Sequence, residues 1–317
     1  MTSWIKRLTA AVFASCLTLL AACGGGDSDD HSDVVALARS NPDLSVLAEA
    51  IDAAGLTTTL QGSGPFTVFA PTNQAFTNVL AELKLTKEQL FADKPLLTAV
   101  LTYHVVSGDI ASSAVPLGRP ITTLQKGYFK AEASGNTLQL TDGRNRLSKV
   151  TTANVDASNG VVHVIDKVLL PADKTVVGTA VALSTSATPE FTLLVEALTA
   201  ADLVTTLSGA GPFTVFAPTD AAFSALLTEL NISKEELFAD KALLTSVLTY
   251  HVVPGLVLKA QVPVGSPIAT VEGDTFTVTA SLAINDQRAR SAKITGTDVL
   301  ASNGVIHVID KVILPAP

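Results

Sequence analysis

Residues 62–76, GSGPFTVFAPTNQAF, recur as a near copy, GAGPFTVFAPTDAAF, at residues 209–223. The two segments agree at 12 of 15 positions. In each segment, Phe-Thr-Val-Phe alternates as a β-strand that a proline ends, and a capping Thr, Asn or Asp then opens a helix. A strand followed by a helix, repeated 147 residues later, predicts two copies of one domain.

Two further blocks extend the repeat. Residues 82–108 match residues 229–255 at 20 of 27 positions. Residues 157–172 match residues 301–316 at 14 of 16 positions, now with an offset of 144. A period this long indicates duplicated domains and not a solenoid of short repeats. We therefore predict domain one over residues 33–173 and domain two over residues 174–317.

The order of predicted elements is the same in both copies. Apolar residues recur at helical spacing in residues 44–54 and 191–201, and capping boxes open short helices at residues 86–89 and 233–236. Short segments rich in β-branched residues follow in the second half of each copy, and the last strand of copy one is predicted over residues 161–169. Helices first and strands last predict an α+β fold, with an antiparallel sheet system backed by a helical cluster.

These blocks resemble the fasciclin family. Three features carry the resemblance, and each occurs twice: a segment like GPFTVFAPTNQAF, a Tyr-His pair at the end of a helix, and a segment like ASNGVVHVIDKVLLP. The resemblance spans essentially all of the two copies. It implies two tandem domains, each a wedge or sandwich of β-sheets flanked by helices, in proteins of adhesion, extracellular matrix and bacterial surfaces that are not enzymes.

The resemblance also implies candidate contact residues. In animal members, the Tyr-His region and an Asp-Ile pair ahead of the last block have been linked to integrin recognition. The matching Asp position holds an aspartate in copy two and Asn154 in copy one, so copy one lacks the carboxylate. The candidates from the resemblance are Tyr103, His104, Tyr250, His251 and Asp298.

The N-terminal segment predicts export and lipid anchoring. Residues 1–22 have a basic start, an apolar run and small residues at the end, as a secretory signal does. The apolar run has about 15 residues and is shorter than the ~20 that a transmembrane helix needs. LAAC, ending at Cys23, resembles a bacterial lipobox, and residues 23–32 read as a flexible tether. Gly24 after the lipid site implies the outer membrane if the host is Gram-negative.

Charge and cysteine content argue against several classes of partner and chemistry. The net charge of −8 offers no clustered positive charge for a nucleic-acid backbone. Cys16 lies in the predicted signal peptide, so the exported chain must fold by burying its apolar residues without a disulfide. The histidines follow no metal-binding spacing, and no cofactor loop or nucleophile elbow is present. We expect no nucleic-acid partner, metal, cofactor or enzymatic activity.

The histidines of the repeated blocks are expected to be structural. His163 and His307 alternate with apolar residues in the last predicted strand, which indicates side chains that are either interior and bonded to one backbone group or half-exposed. His104 and His251 each end a helix, where a charged imidazole would suit the helix dipole. Structural capping is therefore a better explanation of these two residues than catalysis.

Two turns offer a second kind of candidate site. The sequences DGRNR and DQRAR, at residues 142–146 and 286–290, keep two arginines at one spacing although the surrounding segments have diverged. Ordinary solvated turn charges are one interpretation. The other is binding of an acidic polysaccharide or a carboxylate-bearing partner. The arginines concerned are Arg144, Arg146, Arg288 and Arg290.

Together these patterns suggest a non-enzymatic lipoprotein of the cell envelope that mediates adhesion through protein or polysaccharide contacts. The alternative is a periplasmic or surface protein that binds a small hydrophobic or glycan ligand. The membrane is then a partner through the N-terminal lipid, and two copies on one tether would add avidity if both engage at once.

Overall fold

The computed structural model describes residues 32–188 and 190–317. The predicted signal peptide, the lipid site Cys23 and the tether up to residue 31 lie outside these residues.

Copy one begins with a helical half and ends with strands. Its helices are α1 (Val34–Ser40), α2 (Ser45–Ala54), α3 (Thr57–Leu60), α4 (Asn73–Leu83), α5 (Lys87–Ala92) and α6 (Lys94–Tyr103). Its strands are β1 (Phe66–Pro71), β2 (Val105–Ser107), β3 (Pro120–Thr122), β4 (Tyr128–Ser134), β5 (Thr137–Thr141), β6 (Leu147–Ala157) and β7 (Gly160–Ile165).

Copy two repeats this order. Its helices are α7 (Val176–Ser184), α8 (Thr192–Ala200), α9 (Val204–Ser208), α10 (Asp220–Leu230), α11 (Lys234–Ala239) and α12 (Lys241–Tyr250). Its strands are β8 (Phe213–Pro218), β9 (Val252–Pro254), β10 (Pro267–Ala269), β11 (Thr275–Val278), β12 (Ala283–Asn285), β13 (Ser291–Ala301) and β14 (Gly304–Ile309).

Each copy forms one seven-stranded sheet. The strand order in copy one is β2-β1-β7-β6-β5-β4-β3, with β1 and β7 parallel and every other pair antiparallel. The 11-residue strand β6 pairs with β5 near its start and with β7 further along, with register shifts between. Such bulges bend a strand, so one strand serves both halves of a nearly closed sheet. The α+β class and the tandem arrangement are confirmed.

Two apolar cores stabilise each copy. In copy one, helices α1, α2, α4 and α6 pack on one side of the β1–β7 half, around Leu47, Phe76 and Leu97. The second core lies between the two halves of the sheet and contains the aromatic residues Phe69 and Phe129, in T-shaped contact at 5.1 Å. Burial of these side chains at about 25 cal/mol per Å² is the main favourable contribution to folding.

The Asn-Gly pair of the last repeated block connects the helical half to the sheet. The Asn159 side chain accepts the N–H of Val34 at 3.0 Å and donates to the carbonyl oxygens of Leu60 and Gly62. Gly160 has φ +148°, and a Cβ there would lie 1.9 Å from the Phe66 carbonyl oxygen. Only glycine therefore allows β7 to approach β1 at this point. Asn303 and Gly304 occupy the same places in copy two.

Several elements differ from the sequence-based expectation. Helices α1 and α7 and the three-residue strands β2 and β9 were not predicted, because each is short and takes its stability from neighbours. The last strand was predicted over residues 161–169, but β7 ends at Ile165. The chain beyond it is held by side chains of other elements, as described below.

Candidate functional site

The arginine turns are built into the domain. In copy one, the buried Asp142 carboxylate accepts the backbone N–H groups of Arg144 and Arg146 and also the N–H of Leu170. The Arg146 guanidinium donates to Asp142 at 2.7 Å, to Glu82 at 2.6 Å and to the Val168 carbonyl oxygen at 2.6 Å. The turn therefore ties helix α4 to the segment that follows β7.

Copy two repeats this arrangement. Arg290 donates to Glu229 at 2.9 Å and to the Val312 carbonyl oxygen at 3.0 Å, and Asp286 accepts the N–H of Leu314. The Arg146 and Arg290 side chains are only 18% and 16% exposed. The interpretation of these two arginines as solvated turn charges is therefore wrong, because each is enclosed by carboxylates and carbonyl oxygens.

The first arginine of each turn is more open. The Arg144 guanidinium lies 3.3 Å from Asp173 and the Arg144 side chain is 30% exposed, whereas Arg288 is exposed and its Nε donates to the Pro315 carbonyl oxygen. Each has guanidinium N–H groups beyond those in these contacts. Of the four predicted arginines, Arg144 and Arg288 are thus the two whose side chains can still meet a partner.

The tyrosines of the Tyr-His pairs lie inside the second core. Tyr103 and Tyr250 are fully buried. The Tyr103 hydroxyl donates to the Tyr128 carbonyl oxygen at 2.6 Å, and the Tyr250 hydroxyl to that of Thr275 at 2.9 Å. Burial raises the pKa of both phenols, so both stay neutral. Each tyrosine joins the end of a helix to a strand of the sheet.

His104 and His251 are neutral, buried links in the backbone network. The Nδ1 of His104 lies 2.7 Å from the Val100 carbonyl oxygen, and its Nε2 accepts the N–H of Leu169 at 2.8 Å. His251 makes the two equivalent bonds. Burial lowers the pKa of each imidazole to about 4. Each histidine is the C-cap residue of its helix and bonds a carbonyl oxygen of the last turn, so the structural capping is as predicted. The expectation of a charged imidazole is wrong, because a second ring proton would displace the N–H of Leu169.

The other pair of histidines is as predicted from the alternation in the last strand. His163 is fully buried; its Nε2 lies 2.9 Å from the Ile110 carbonyl oxygen and its Nδ1 accepts the N–H of Asn154 at 3.1 Å. His307 is bonded in the same way to Val257 and Asp298. Burial lowers the pKa of both imidazoles. Both ring nitrogens of each histidine are therefore occupied by backbone groups.

Asp298 and its counterpart Asn154 differ in exposure. Both have left-handed backbone, with φ of 61° and 58°, and each side chain accepts a backbone N–H at 2.7 Å, from Lys259 and Ser112 respectively. Asn154 is exposed, whereas Asp298 is 5% exposed because Lys130 of copy one lies on its second carboxylate oxygen. The candidate carboxylate thus faces the other copy and not solvent.

The sequence interpretation missed the residues that join the two copies. Tyr128, Lys130 and Asn145 of copy one all bond to copy two. A signal was present in the sequence, because the matched positions of copy two are Thr275, Thr277 and Ala289. A position that differs between two otherwise similar copies is a place where the two copies can have different neighbours.

The cavities differ sharply in size and character. An enclosed apolar cavity of about 20 Å³ lies between α7, α8 and the sheet of copy two, which is room for about one water molecule. An open groove of about 510 Å³ lies where the copies meet. Its lining includes Arg144, Asn145, Lys174, Leu183 and Leu300. A polar ligand or polymer segment can enter the groove, while the enclosed cavity is too small for an organic ligand.

Two further observations bear on chemistry. Within residues 32–188 and 190–317, no group of three or more His, Cys, Asp or Glu side chains is placed to hold a metal ion. In the same residues, no helix combines the length and apolar character required to cross a bilayer.

Comparisons with known proteins agree with this architecture. The fasciclin domain model matches residues 42–171 and 189–315. Protein sll1483 of Synechocystis sp. is 43% identical over 148 residues, which is 45% of this chain and 76% of that protein. Transforming growth factor-beta-induced protein ig-h3 of Sus scrofa is 30% identical over 289 residues, which is 86% of this chain. The chain spans only 40% of the length of ig-h3.

A solved structure is also similar. It is described as a FAS1 domain pair from the insect cell adhesion molecule Fasciclin I. The TM-score is 0.43 at 19% sequence identity, with 87% of this chain and 98% of that chain covered.

This is a protein of two tandem α+β domains. The residues that the two copies share, including the inward-facing Tyr-His pairs, serve the scaffold of each domain. The family-model match covers most of both copies, and the chain belongs to the fasciclin domain family. Fasciclin domains occur in adhesion and extracellular-matrix proteins.

Proposed function

We propose that this chain is an exported lipoprotein of the cell envelope that binds extracellular polymer or protein and has no enzymatic activity. The lipid on Cys23 would hold two fasciclin domains at the membrane surface, on the outer membrane of a Gram-negative host. Several acyl chains on one cysteine would give lasting attachment, which a single chain does not.

The observation that carries this proposal is the burial of the histidine and tyrosine side chains of the repeated blocks. The four histidines and two tyrosines are buried, and their polar atoms bond to backbone groups. A general acid or base must reach the proton that it transfers, and these groups face the interior of their own domain. Surface contact, and not bond-making chemistry, is the activity that such a scaffold supports.

The groove at the junction of the copies suggests the kind of partner. Arg144 and Lys174 stand along the groove, both beside the carboxylate of Asp173, and Asn145 and Leu300 line it between the copies. Guanidinium and ammonium groups bind carboxylates, and the neighbouring amide and apolar surface suits a sugar ring. A carboxylated polysaccharide is therefore the partner we propose for this surface.

Binding of the full chain in detergent to immobilised polygalacturonate would test this proposal, with dextran as the uncharged reference. We expect retention on polygalacturonate that falls several-fold with Arg144→Ala and with rising salt, because the contacts are between exposed charges. Equal retention on both polymers, or no effect of Arg144→Ala, would argue against the groove. Saturable one-to-one binding of a small hydrophobic molecule would instead favour a ligand-binding protein.

Arg290→Ala serves as the matched control. Arg290 is the copy-two counterpart of Arg146; it is enclosed by Glu229, Asp286 and the Val312 carbonyl oxygen and does not line the groove. Its removal should lower the melting temperature and leave polymer binding by the remaining folded protein unchanged. Arg144→Ala should instead reduce binding and leave the melting temperature nearly unchanged. The two variants thus separate a structural from a contacting arginine.

A further inference from the structure

We infer that the two copies dock through one surface on each copy and that this contact holds them as one rigid body. Neither surface is repeated on the other copy, so the contact forms only once in a chain. The copy-one face is formed by Tyr128, Lys130 and Asn145. The copy-two face is formed by Leu256, Leu258, Asp298 and Leu300. This inference does not depend on the proposed function, because it concerns only contacts within the chain.

A buried ion pair lies at the centre of the interface. Lys130 Nζ is 3.0 Å from Asp298 Oδ2, and the two side chains are 10% and 3% exposed. Burial disfavours the charge on Lys130, but the carboxylates of Glu132 and Asp298 outweigh it and hold the pKa of Lys130 above its usual value. Asp298 Oδ1 is bonded to the N–H of Lys259, so each carboxylate oxygen has a partner. If the copies separated, both charges would lose this pairing.

Polar bonds to the backbone surround the ion pair. The Asn145 amide accepts the N–H of Leu300 at 2.7 Å and donates to the carbonyl oxygen of Leu300 at 3.1 Å. Asn145 thus pairs with the end of β13 as a neighbouring strand would. The Tyr128 hydroxyl lies 2.6 Å from the Gly304 carbonyl oxygen and 2.8 Å from that of Ala301. These bonds fix the register of one copy on the other.

Apolar side chains complete the interface. Leu258, Leu300 and Val305 form a buried cluster of copy two, and the Tyr128 ring of copy one packs against it together with Leu256. Leu258 and Leu300 are 0% and 1% exposed. Their counterparts in copy one, Ala111 and Asp156, are exposed, so we attribute the burial of these leucines to the contact with copy one.

The matched residues on the two outer ends do not reproduce this interface. Copy two carries Thr275, Thr277 and Ala289 in place of the copy-one face. Copy one carries exposed Asp109, Ala111, Asn154 and Asp156 in place of the copy-two face. The outer end of copy two, with two threonines and an alanine, offers no cation for a carboxylate. The outer end of copy one, with two aspartates in place of leucines, offers no apolar surface. One chain therefore cannot dock end to end on another in the same way.

The duplication supplies its own test variants, because each interface residue can be replaced by the residue that the other copy carries there. In the full chain in detergent, we would measure hydrogen exchange of the Leu300 N–H, which donates across the interface. We expect this N–H to be protected in the wild type. The triple variant Lys130→Thr, Asn145→Ala and Leu300→Asp should accelerate exchange of peptides over residues 298–301 at least about tenfold. Exchange in β1 and β8 should be unchanged.

Matched substitutions on the outer ends are the control. Thr277→Lys and Asp156→Leu place interface-like residues where no second copy lies, and they should leave the exchange of residues 298–301 unchanged. Cross-linking of the wild-type chain should give a monomer band. Peptides over residues 298–301 that exchange as fast in the wild type as in the triple variant, or a wild-type ladder of end-to-end oligomers, would overturn the inference.

Discussion

Matched residues of the two copies show how one position can serve two purposes. Asn154 and Asp298 hold the same left-handed turn and accept the same backbone N–H. Only the carboxylate has a second charged partner, Lys130, because only copy two has a neighbour on that side. The carboxylate that the resemblance marked as a candidate contact is here part of an internal contact. The side chain that remains exposed at this position is the amide of Asn154.

The buried histidines predict a specific acid sensitivity. Folded His104 and His251 have pKa values near 4, whereas an unfolded histidine binds a proton below about 6.5. The unfolded state therefore binds more protons between pH 4 and 6.5. The free energy of unfolding should be flat above pH 6.5 and fall below it by about 1.4 kcal/mol per pH unit for each such histidine.

Urea unfolding between pH 5.0 and 7.5 checks this sign and slope. The double variant His104→Leu and His251→Leu should be less stable at pH 7.5, because the backbone N–H groups of Leu169 and Ile313 lose their acceptors. The slope of its unfolding free energy against pH should correspond to about two fewer protons taken up on unfolding. An unchanged slope in the double variant would contradict the assignment.

At the scale of elements, the approach of β7 to β1 depends on glycine. Gly160→Ala would place a Cβ 1.9 Å from the Phe66 carbonyl oxygen, and the parallel pair would have to separate. We expect a loss of more than about 4 kcal/mol in stability, which is beyond the usual range for one substitution. Limited proteolysis should then cleave copy one at lower temperature than in the wild type.

Gly135→Ala is the matched control. Gly135 also has positive φ, +59°, but nothing lies within 4 Å of an added Cβ. Only the backbone preference is lost there, at a cost of about 1–2 kcal/mol. Equal destabilisation by the two variants would show that the close contact with Phe66 is not what requires glycine.

The elements with strong local patterns could be predicted from the sequence. Thr86 and Gln89 form the predicted capping box of α5, and Thr72 caps α4. Helix α1 could not, because it has only seven residues and its first turn is completed by Asn159, far away in sequence. The arginine turns were identified by their spacing, but the carboxylate of Glu82 that encloses Arg146 comes from another element.

At the scale of the molecule, the ion pair between the copies should behave as a coupled pair. Lys130→Thr leaves the Asp298 carboxylate buried without its cation, which should cost about 3–5 kcal/mol. Asp298→Asn should cost less, because Asn154 shows that the amide makes the same local bond and Lys130 keeps Glu132. The double variant should be more stable than the sum of the single effects implies, by about 1–3 kcal/mol.

Chemical denaturation of the four proteins completes this double-mutant cycle. Thr277→Ala and Asn154→Ala, which alter the equivalent positions on the outer ends, supply a second cycle for comparison. We expect no coupling there beyond about 0.5 kcal/mol, because no contact joins the two residues. Equal coupling in both cycles would mean that the Lys130–Asp298 contact contributes nothing specific.

We conclude that residues of the repeated blocks hold each copy together and that the diverged residues join the copies into one body. Differential scanning calorimetry of the full chain distinguishes one joined body from two independent domains. We expect one transition whose van't Hoff and calorimetric enthalpies agree, and two separable transitions in the triple variant Lys130→Thr, Asn145→Ala and Leu300→Asp. A wild-type van't Hoff enthalpy near half the calorimetric value, unchanged in the variant, would mean that the copies unfold independently and are not joined.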